Sequence, residues 1–412
     1  MGLKNRWLLA VFATAAVVAA LLPSSAAAAN TASVIAWGFD SPRGITFVGS
    51  KGLVAEAGHG SDNPADCFTT PFGNTCVGNT SRISWVNTTT HGPTPLTTGI
   101  FSIALDPVET IGVSGLSYRS GKIYAQIGAT SREVPAKFAI GQEAGDLIKV
   151  NPNTGSWTTI AQVGDDMYDY TVNNFPIQPN PKVCGQCPGT QEHDANPNDV
   201  LATSNGWLVA DSGANTLTRV SKNGTTKVLA YFGWRDPTFT NFPSDEVPTC
   251  LARTDDGIWI GTLAGHLFRY EEGKALLVAT PKDSAGNPLL THVTGCTSRG
   301  ETLYLANMFG PGTFGSPMFI NGSVVKYNTE SRKGSVLATA FSNPAFFLPY
   351  SAKFGPDGNL YVTSGAICGF SGASPFPGAP FNPCTLSNPN GGPDMKGGRV
   401  LKITLANSGE HD

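Results

Sequence analysis

The chain repeats one pattern of apolar and polar positions, in which two short apolar segments flank a tight turn. One copy is "FGPDGNLYVTSG" from Phe354, and another is "ATSNGWLVADSG" from Ala202. Further copies begin at Phe47, Leu116, Ala252 and Thr297. Asp and Gly tolerate the backbone angles of a tight reversal, so each copy predicts a β-hairpin. Six such hairpins indicate a repeat architecture.

Each hairpin is followed by a third segment that alternates apolar and polar residues, such as "TLTRVS" from Thr216. A fourth segment follows in five copies, but only seven residues remain after "RVLKITL" in the sixth. The pattern "ASVIAWGF" from Ala32 is a strand without an assigned hairpin. The sequence therefore predicts an all-β, six-bladed β-propeller with four antiparallel strands per blade, closed by the N-terminal strand. Residues 30–412 would then form one domain.

The long segments between predicted strands fall at two kinds of connection. Some join strands two and three, at 58–81, 128–145, 307–322 and 365–398, and others join blades, at 165–197 and 234–247. In a four-stranded meander both kinds of connection lie on one face. We therefore expect function on this loop-rich face, because binding loops usually sit on a rigid scaffold.

Several of these stretches resemble the ScyD/ScyE family of exported propellers, which is named after a scytonemin pigment cluster. They include "FDSPRGITFVGSKGLVAEAGHG", "NPNDVLATSNGWLVADSGANTLTRV" and the closing "GPDGNLYVTSGAI…GGRVLKI". More loosely, the hairpin phrase resembles NHL-type propellers of the TolB-like superfamily. The resemblance implies a six-bladed fold and a link to secondary metabolism. It implies no catalytic residues.

Charge and the N-terminus narrow the class of protein. Net charge is −3 and only 14% of residues are charged, which argues against nucleic acid or an anionic membrane as partner. Residues 1–29 predict a signal peptide, because Lys4 and Arg6 precede an apolar run and a stretch of small residues. We thus expect a secreted or extracytoplasmic protein with no membrane span after cleavage. In a eukaryotic host it would be a glycoprotein, with sequons at Asn79, Asn87, Asn223 and Asn321.

Eight cysteines in an exported chain predict disulfides. Cys67–Cys76 and Cys368–Cys384 would each close a loop within one insertion. Cys250 and Cys296 occupy matching positions of consecutive first strands and are expected to bond across two blades. The "CGQC" stretch, Cys184–Cys187, favours a small-loop disulfide, with a redox pair or half a zinc site as alternatives.

Alignment of the repeats identifies three series of residues around the central channel. The first strands give Arg43, Ser114, Asn198, Thr249, Gly295 and Tyr350, followed by Gly44, Gly115, Asp199, Cys250, Cys296 and Ser351. The ends of the second strands give Glu56, Gln126, Asp211, Gly261, Ala306 and Thr363. Polar groups that converge on a channel mouth are the default ligand site. The predicted ligand-binding residues are Arg43, Glu56, Asn198, Asp199, Asp211, His292 and Tyr350. The alternative for Glu56 and Asp211 is that they cap neighbouring turns.

Binding of a small molecule or a protein at the loop-rich face is the preferred function. The alternative is a metal-dependent, lactonase-like hydrolase, in which Glu56, Asn198, Asp199 and Asp211 would supply oxygen ligands to Ca²⁺ or another divalent ion. These four residues come from only two blades, so no metal site and no cofactor is predicted. His59, His193 and His292 are candidates for a general base, and His193 lies beside Asp194 in the polar stretch "EHDANPND". The alternative for this stretch is a solvated loop.

Aromatic residues are frequent in the predicted loops. They would either stack on a sugar or an aromatic metabolite, or pack the loops onto the blades. The set comprises Tyr168, Tyr170, Phe175, Trp234, Phe239, Phe242, Phe309, Phe314, Phe346, Phe347, Phe370 and Phe376.

Overall fold

A computed structural model describes most of the chain after the predicted signal peptide. The described residues are 31–70, 73–105, 109–175, 191–233, 245–278, 281–283, 286–310, 321–340, 342–369, 372, 382–388 and 393–405. The predicted signal peptide lies outside them, as do Cys184 and Cys187. Within these ranges no helix has the length and apolar character needed to cross a membrane.

Six antiparallel sheets, the blades, contain nearly all of the strands, and a short hairpin in the insertion of blade 6 contains the other two. Blade 1 comprises β2 (Pro42–Val48), β3 (Lys51–Glu56), β4 (Cys67–Thr70), β5 (Gly73–Asn87), β6 (Gly92–Leu105) and β7 (Glu109–Ile111). Blade 2 comprises β8 (Val113–Arg119), β9 (Lys122–Ile127), β10 (Asp146–Val150) and β11 (Trp157–Gln162). Blade 3 comprises β12 (Pro197–Thr203), β13 (Gly206–Asp211), β14 (Thr216–Ser221) and β15 (Thr226–Tyr231). Blade 4 comprises β16 (Pro248–Thr254), β17 (Gly257–Thr262), β18 (Leu267–Glu271) and β19 (Lys274–Val278). Blade 5 comprises β20 (Val293–Arg299), β21 (Thr302–Asn307), β22 (Ser323–Asn328) and β23 (Gly334–Thr339). Blade 6 comprises β24 (Pro349–Phe354), β25 (Leu360–Ser364), β28 (Gly398–Thr404) and β1 (Thr31–Phe39). The short hairpin pairs β26 (Thr385–Leu386) with β27 (Met395–Lys396).

The predicted six-bladed propeller is confirmed, and so is its closure. The N-terminal strand β1 pairs antiparallel with β28, from Thr31 opposite Thr404 to Phe39 opposite Gly398. Blade 6 therefore takes its outer strand from the opposite end of the chain. This arrangement joins the two ends of the fold and leaves the last sheet with its full set of strands.

Neighbouring blades approach closely at their inner strands. A Cβ atom on Gly44, Gly115 or Gly295 would lie 2.5, 2.7 or 2.3 Å from backbone atoms of the next blade. Only glycine fits at that separation, because real Cβ contacts are longer. Asp199 and Cys250 hold the same position in blades 3 and 4, where their side chains bond to the next blade.

One part of the repeat alignment is wrong by one residue. Val293 pairs with Asn307 as Pro248 pairs with Thr262, so Thr294, not Gly295, is the mouth residue of blade 5. Cys250 accordingly matches Gly295, and Cys296 lies one position further on. Blade 5 has valine where most blades have proline, and alignment on the two cysteines shifted its register.

The second-strand series contains a similar error. Glu56 and Asp211 pair with Pro42 and Pro197, and the matching residues of the other blades are Ile127, Thr262, Asn307 and Ser364. The predicted Gln126, Gly261, Ala306 and Thr363 each precede that position by one residue. A bulge in each first strand changes the count across the hairpin, and alternation alone does not reveal it.

Three predicted disulfides are confirmed. Cys67–Cys76 and Cys368–Cys384 each close one insertion, with Cα atoms 4.0 and 5.3 Å apart. Cys250–Cys296 joins blades 4 and 5, with Cα atoms 5.6 Å apart. The bond forms although the two cysteines are not equivalent in register, since inner strands of neighbouring blades are close enough at either position. Disulfides of this number are typical of an oxidising compartment.

Of the three described disulfides, the cross-blade bond Cys250–Cys296 should contribute most to the free energy of unfolding. It closes a sequence separation of 46 residues, against 9 and 16 for the other two. Chain-entropy arguments give roughly 3–4 kcal/mol for a loop of this length. The double substitution C250S/C296S should lower the free energy of unfolding by about that amount in urea titrations, and C67S/C76S should lower it by less. Alkylation of either inner-strand cysteine in denatured, unreduced wild-type protein would contradict the bond.

One α-helix, α1 (Val163–Asn174), lies between blades 2 and 3 and was not predicted. Asp165 in its first turn accepts hydrogen bonds from Thr130 Oγ1, Ser131 N and Ser131 Oγ, which attach the helix to the insertion of blade 2. Carboxylates are also favourable at a helix N-terminus. Short 3₁₀ helices lie at Pro64–Asp66, Ser131–Glu133, Ala139–Glu143 and Pro344–Phe346.

Asp146, the first residue of β10, should make stability depend on pH. Its carboxylate is buried, Oδ2 accepts one hydrogen bond from Thr159, and Oδ1 has no hydrogen-bond partner among the described residues. Burial raises the pKa of Asp146 to about 7. The folded protein then binds a proton that the unfolded chain releases near pH 4, so stability falls as pH rises from about 4 to 7.

The substitution D146N should remove this contribution. We expect the variant to be more stable than wild type by roughly 1–3 kcal/mol at pH 8 and close to it at pH 4.5. Urea titrations at the two pH values measure the difference. An equal effect of the substitution at both would show that the charge of Asp146 is not the cause.

Candidate functional site

Hydroxyl side chains join neighbouring blades around half of the channel mouth. Ser114 Oγ donates to Pro197 O at 3.3 Å, Thr249 Oγ1 to Val293 O at 2.5 Å and Thr294 Oγ1 to Pro349 O at 3.3 Å. These short side chains remain at the wall. The middle of the mouth is therefore left to the larger residues of blades 1, 3 and 6.

Arg43, Asn198 and Tyr350 meet across the mouth and form what we call the polar floor. The Tyr350 hydroxyl donates to Asn198 Oδ1, and these residues come from blades that face each other in a ring of six. Asn198 Nδ2 donates to Thr249 O at 3.4 Å. The Arg43 guanidinium lies 4.5 Å above the Tyr350 ring and donates through Nη2 to Thr110 O at 2.5 Å. Burial raises the pKa of Tyr350, which keeps its hydroxyl a donor at neutral pH.

A cavity of about 220 Å³ lies on this floor, at the loop-rich end of the channel. Its walls are mostly apolar, and Glu109, Asn196 and Ser212 add polar groups at the sides. The apolar lining residues are Ile111, Val247, Leu263, Met308, Phe309 and Ile367. We call this space the mouth cavity.

Two opposite charges lie on the first strands that carry Asn198 and Tyr350. Asp199 accepts hydrogen bonds from Val200 N and Leu251 N, each at 2.8 Å. Burial raises the pKa of Asp199 to about 6, and the positive charge of Lys353 opposes that rise. Burial also lowers the pKa of Lys353. Asp199 is thus directed at blade 4 and does not line the mouth cavity.

Glu56 and Asp211 serve the edges of their own blades. Glu56 accepts hydrogen bonds from Asp40 N, from Arg82 and from Ser84 Oγ. Asp211 Oδ1 accepts from Asn196 N, Gly213 N and Ala214 N, and burial raises its pKa to about 7. These are the contacts of turn-capping residues, the alternative considered from sequence. Neither side chain lines the mouth cavity.

The three candidate histidines, His59, His193 and His292, lie outside the lining of the mouth cavity. His292 is buried with its ring packed edge-on against Phe309, 5.6 Å between centroids, so it supports a wall residue. His59 Nδ1 lies 2.5 Å from Asp40 Oδ2, and this hydrogen bond raises the pKa of His59. His193 Nε2 lies 3.3 Å from Phe175 O.

Asp194 interacts with a second carboxyl group. It shares a hydrogen bond with Glu133, and desolvation between the two carboxyl groups together with the charge of Asp194 raises the pKa of Glu133, although that residue is exposed overall. Asp194, the sequence neighbour of the candidate base His193, is therefore coupled to a second acid, an arrangement in which two carboxyl groups can share one proton.

Sequence reasoning missed most of the apolar wall. Leu263 and Met308 each follow directly on a second strand, as Ser212 does, so one repeat position beyond the strand end would have identified them. Of the predicted loop aromatics, Phe309 lines the cavity. Phe346 and Phe347 are fully buried, and Tyr168, Tyr170 and Phe175 pack around α1 and β15. Trp234, Phe239, Phe242, Phe314, Phe370 and Phe376 lie outside the described residues.

The oxygen donors considered for a divalent ion do not form a cage. Glu56 and Asp211 are engaged at separate blade edges, Asn198 is held by Tyr350, and Asp199 is bonded to backbone N–H groups of blades 3 and 4. Across the described ranges no three His, Cys, Asp or Glu side chains are grouped in a way that could hold a metal ion. The donor set therefore does not fit the metal of a lactonase-like hydrolase.

No family model matches the sequence, and no curated protein matches it. Among solved structures, a luciferin-regenerating enzyme is 10% identical, with 92% of this chain and 96% of that chain covered and a TM-score of 0.46. A putative gluconolactonase is 11% identical, with 91% of each chain covered and a TM-score of 0.45. Virginiamycin B lyase from Staphylococcus aureus, solved with quinupristin, is 12% identical, with 91% and 99% covered and a TM-score of 0.42. The fold assignment rests on the six sheets themselves.

Proposed function

We propose that this protein binds a small molecule in the mouth cavity, and that the molecule has a largely apolar body and one group that accepts hydrogen bonds, best an anion such as a carboxylate. The observation that carries the proposal is the combination of apolar walls with a polar floor in which the charged side chain, Arg43, has N–H groups that are available to a ligand. Such a pairing of apolar lining with few fixed polar groups is the usual make-up of a ligand site.

The floor determines which polar group the ligand carries. Tyr350 and Asn198 satisfy each other, and Asn198 also donates to Thr249 O. Arg43 uses Nη2 for Thr110 O, which leaves Nε and Nη1 without a protein acceptor among the described residues. A guanidinium has five N–H groups and no acceptor. The group placed on Arg43 must therefore be an acceptor, and a carboxylate matches the geometry of a guanidinium best.

The size and walls of the cavity determine the rest of the ligand. About 220 Å³ is below the roughly 300–1,000 Å³ typical of sites for drug-sized ligands, so the molecule is small. Phe309 and the Tyr350 ring offer faces on which a planar ring would pack. The resemblance to ScyD/ScyE proteins suggests that such a molecule belongs to secondary metabolism and is met outside the cytoplasm.

Matched acids and amides test the proposal by isothermal titration calorimetry. Benzoate and cyclohexanecarboxylate should bind more tightly than benzamide and cyclohexanecarboxamide, by about tenfold, the effect of one charge-assisted hydrogen bond. R43M should abolish this preference, and F309A should weaken the binding of acids and amides to the same extent. R299M, on β20 at the opposite end of the channel, should change neither. Equal affinities for acids and amides in wild type, or a preference that persists in R43M, would overturn the proposal.

A further inference from the structure

Arg399, the second residue of β28, is a fully buried arginine without a carboxylate. Its Nη2 donates to Pro383 O at 2.6 Å, beside the Cys368–Cys384 disulfide of the blade 6 insertion. Nε and Nη1 have no hydrogen-bond acceptor in the part of the chain that the structure describes. Burial lowers the pKa of Arg399 only to about 10, so the guanidinium is charged at neutral pH.

The repeat itself shows what such an arginine needs. In blade 1 the residue at the same position is Arg82, paired in register with Glu56 at the end of the second strand. Arg82 Nε and Nη2 donate to the two Glu56 oxygens at 2.8 and 2.7 Å. In blade 6 the register partner of Arg399 is Ser364. The arginine is thus repeated, and the carboxylate is replaced by a hydroxyl whose single proton is shared between Ala345 O and Phe347 O, each 2.6 Å away.

We propose that Arg399 is the anchor of an anion site under the insertion of blade 6, where a small monoanion such as chloride or formate takes the place that the Glu56 carboxylate has in blade 1. A buried, unpaired charge is strongly unfavourable, and native proteins compensate it with a counter-charge or hydrogen bonds. A buried donor left without a partner is itself a sign of an ion or water bound there.

Enclosure restricts the ligand to small anions. Arg399 lies beneath the segment that carries Pro383 and Cys384. The hydrogen bond to Pro383 O joins this segment to β28, and the disulfide joins it to Cys368 near the start of the same insertion. Ile367, from the same insertion, lines the mouth cavity. The anion would therefore stabilise the insertion that forms one wall of the proposed ligand site, without contacting the ligand.

Thermal unfolding at constant ionic strength tests the site, with chloride or formate replacing the bulky anion 2-(N-morpholino)ethanesulfonate. Wild-type Tm should rise by roughly 2 °C where the small anion is about ten times its Kd. R399M should show no such rise. R82M, the matched change in blade 1, should keep it. Chloride and formate scans together distinguish a halide site from a carboxylate site.

Restoring the internal carboxylate provides the reciprocal variant. S364E should lose the anion dependence while Arg399 is still present, because its carboxylate would occupy the position of Glu56. Where that larger side chain prevents folding, crystals of wild type soaked in bromide give a direct measurement, with an anomalous peak expected beside Arg399 Nε or Nη1. An anion-dependent Tm shift that survives in R399M, or no shift together with no bromide peak, would overturn the proposal.

Discussion

A chain that lacks residues 32–39 is expected not to form a stable propeller. These residues are all of β1 except Thr31, and β1 pairs along the whole of β28 as the outer strand of blade 6. Ala36 and Phe39 are fully buried in the cluster that also contains Ile45, Val54 and Val400. Removing a buried phenylalanine alone costs about 3–5 kcal/mol. Loss of the whole strand therefore approaches the 5–15 kcal/mol that typically separates folded from unfolded states.

Size-exclusion chromatography and far-UV circular dichroism measure the result. The deleted chain should aggregate or melt far below the parent, since β28 becomes an exposed edge. F39A should show a smaller loss on the same scale, and S33A, on the same strand, almost none. Addition of a synthetic peptide of residues 31–39 should partly restore the parent's melting temperature. A deleted chain that melts like the parent would show that β1 does not hold the ring closed.

The sequence could predict the blades because the information that specifies them is local. Tight-turn residues such as "PDG" at 356–358 mark each hairpin, and the alternation in segments such as β14 specifies the face that each side chain takes. The closing strand follows from the number of strand segments in each blade. The sixth blade lacks a fourth segment, and the strand that begins at Ala32 belongs to no other blade. These signals need no knowledge of how blades pack against each other.

The site was less predictable because it depends on geometry that the pattern does not encode. Arg43, Asn198 and Tyr350 line the mouth cavity, and each directly follows a proline in strand one, which is a signal that the sequence shows. Glu56 and Asp211 looked equivalent, yet each is directed at its own blade edge. In each first strand a bulge after that proline position changes which second-strand residue lies opposite, and a bulge has no reliable sequence signal. The insertion that supplies Ile367 is specific to blade 6, so no alignment of repeats could place that residue.

The ion pair of Glu56 and Arg82 is a second contact whose removal is expected to lower stability by a large amount. Glu56 is completely buried, while a quarter of the Arg82 side chain is exposed. Besides the two bonds from Arg82, the carboxylate accepts from Asp40 N and Ser84 Oγ, so it organises the start of β2 as well as the edge of blade 1. Breaking a buried ion pair by removing one partner typically costs about 3–5 kcal/mol.

We expect E56Q to destabilise the protein by about 3 kcal/mol, near the lower end of that range, because water reaches the exposed part of Arg82 in the variant. R82M should cost at least as much, since it leaves a fully buried carboxylate with only Asp40 N and Ser84 Oγ as donors. The double variant E56Q/R82M should cost less than the sum of the two by about 1–3 kcal/mol, the coupling expected for groups in direct contact. Urea titrations of the four proteins measure this cycle, and additive losses would mean that the two side chains act independently.

The E56Q variant also tests the anion site of blade 6. It gives blade 1 an arginine without a carboxylate, as in blade 6, but one that water can reach. If Arg82 in E56Q is stabilised by water alone, this variant should gain no more from chloride than wild type does, and the whole anion dependence should remain with the enclosed Arg399.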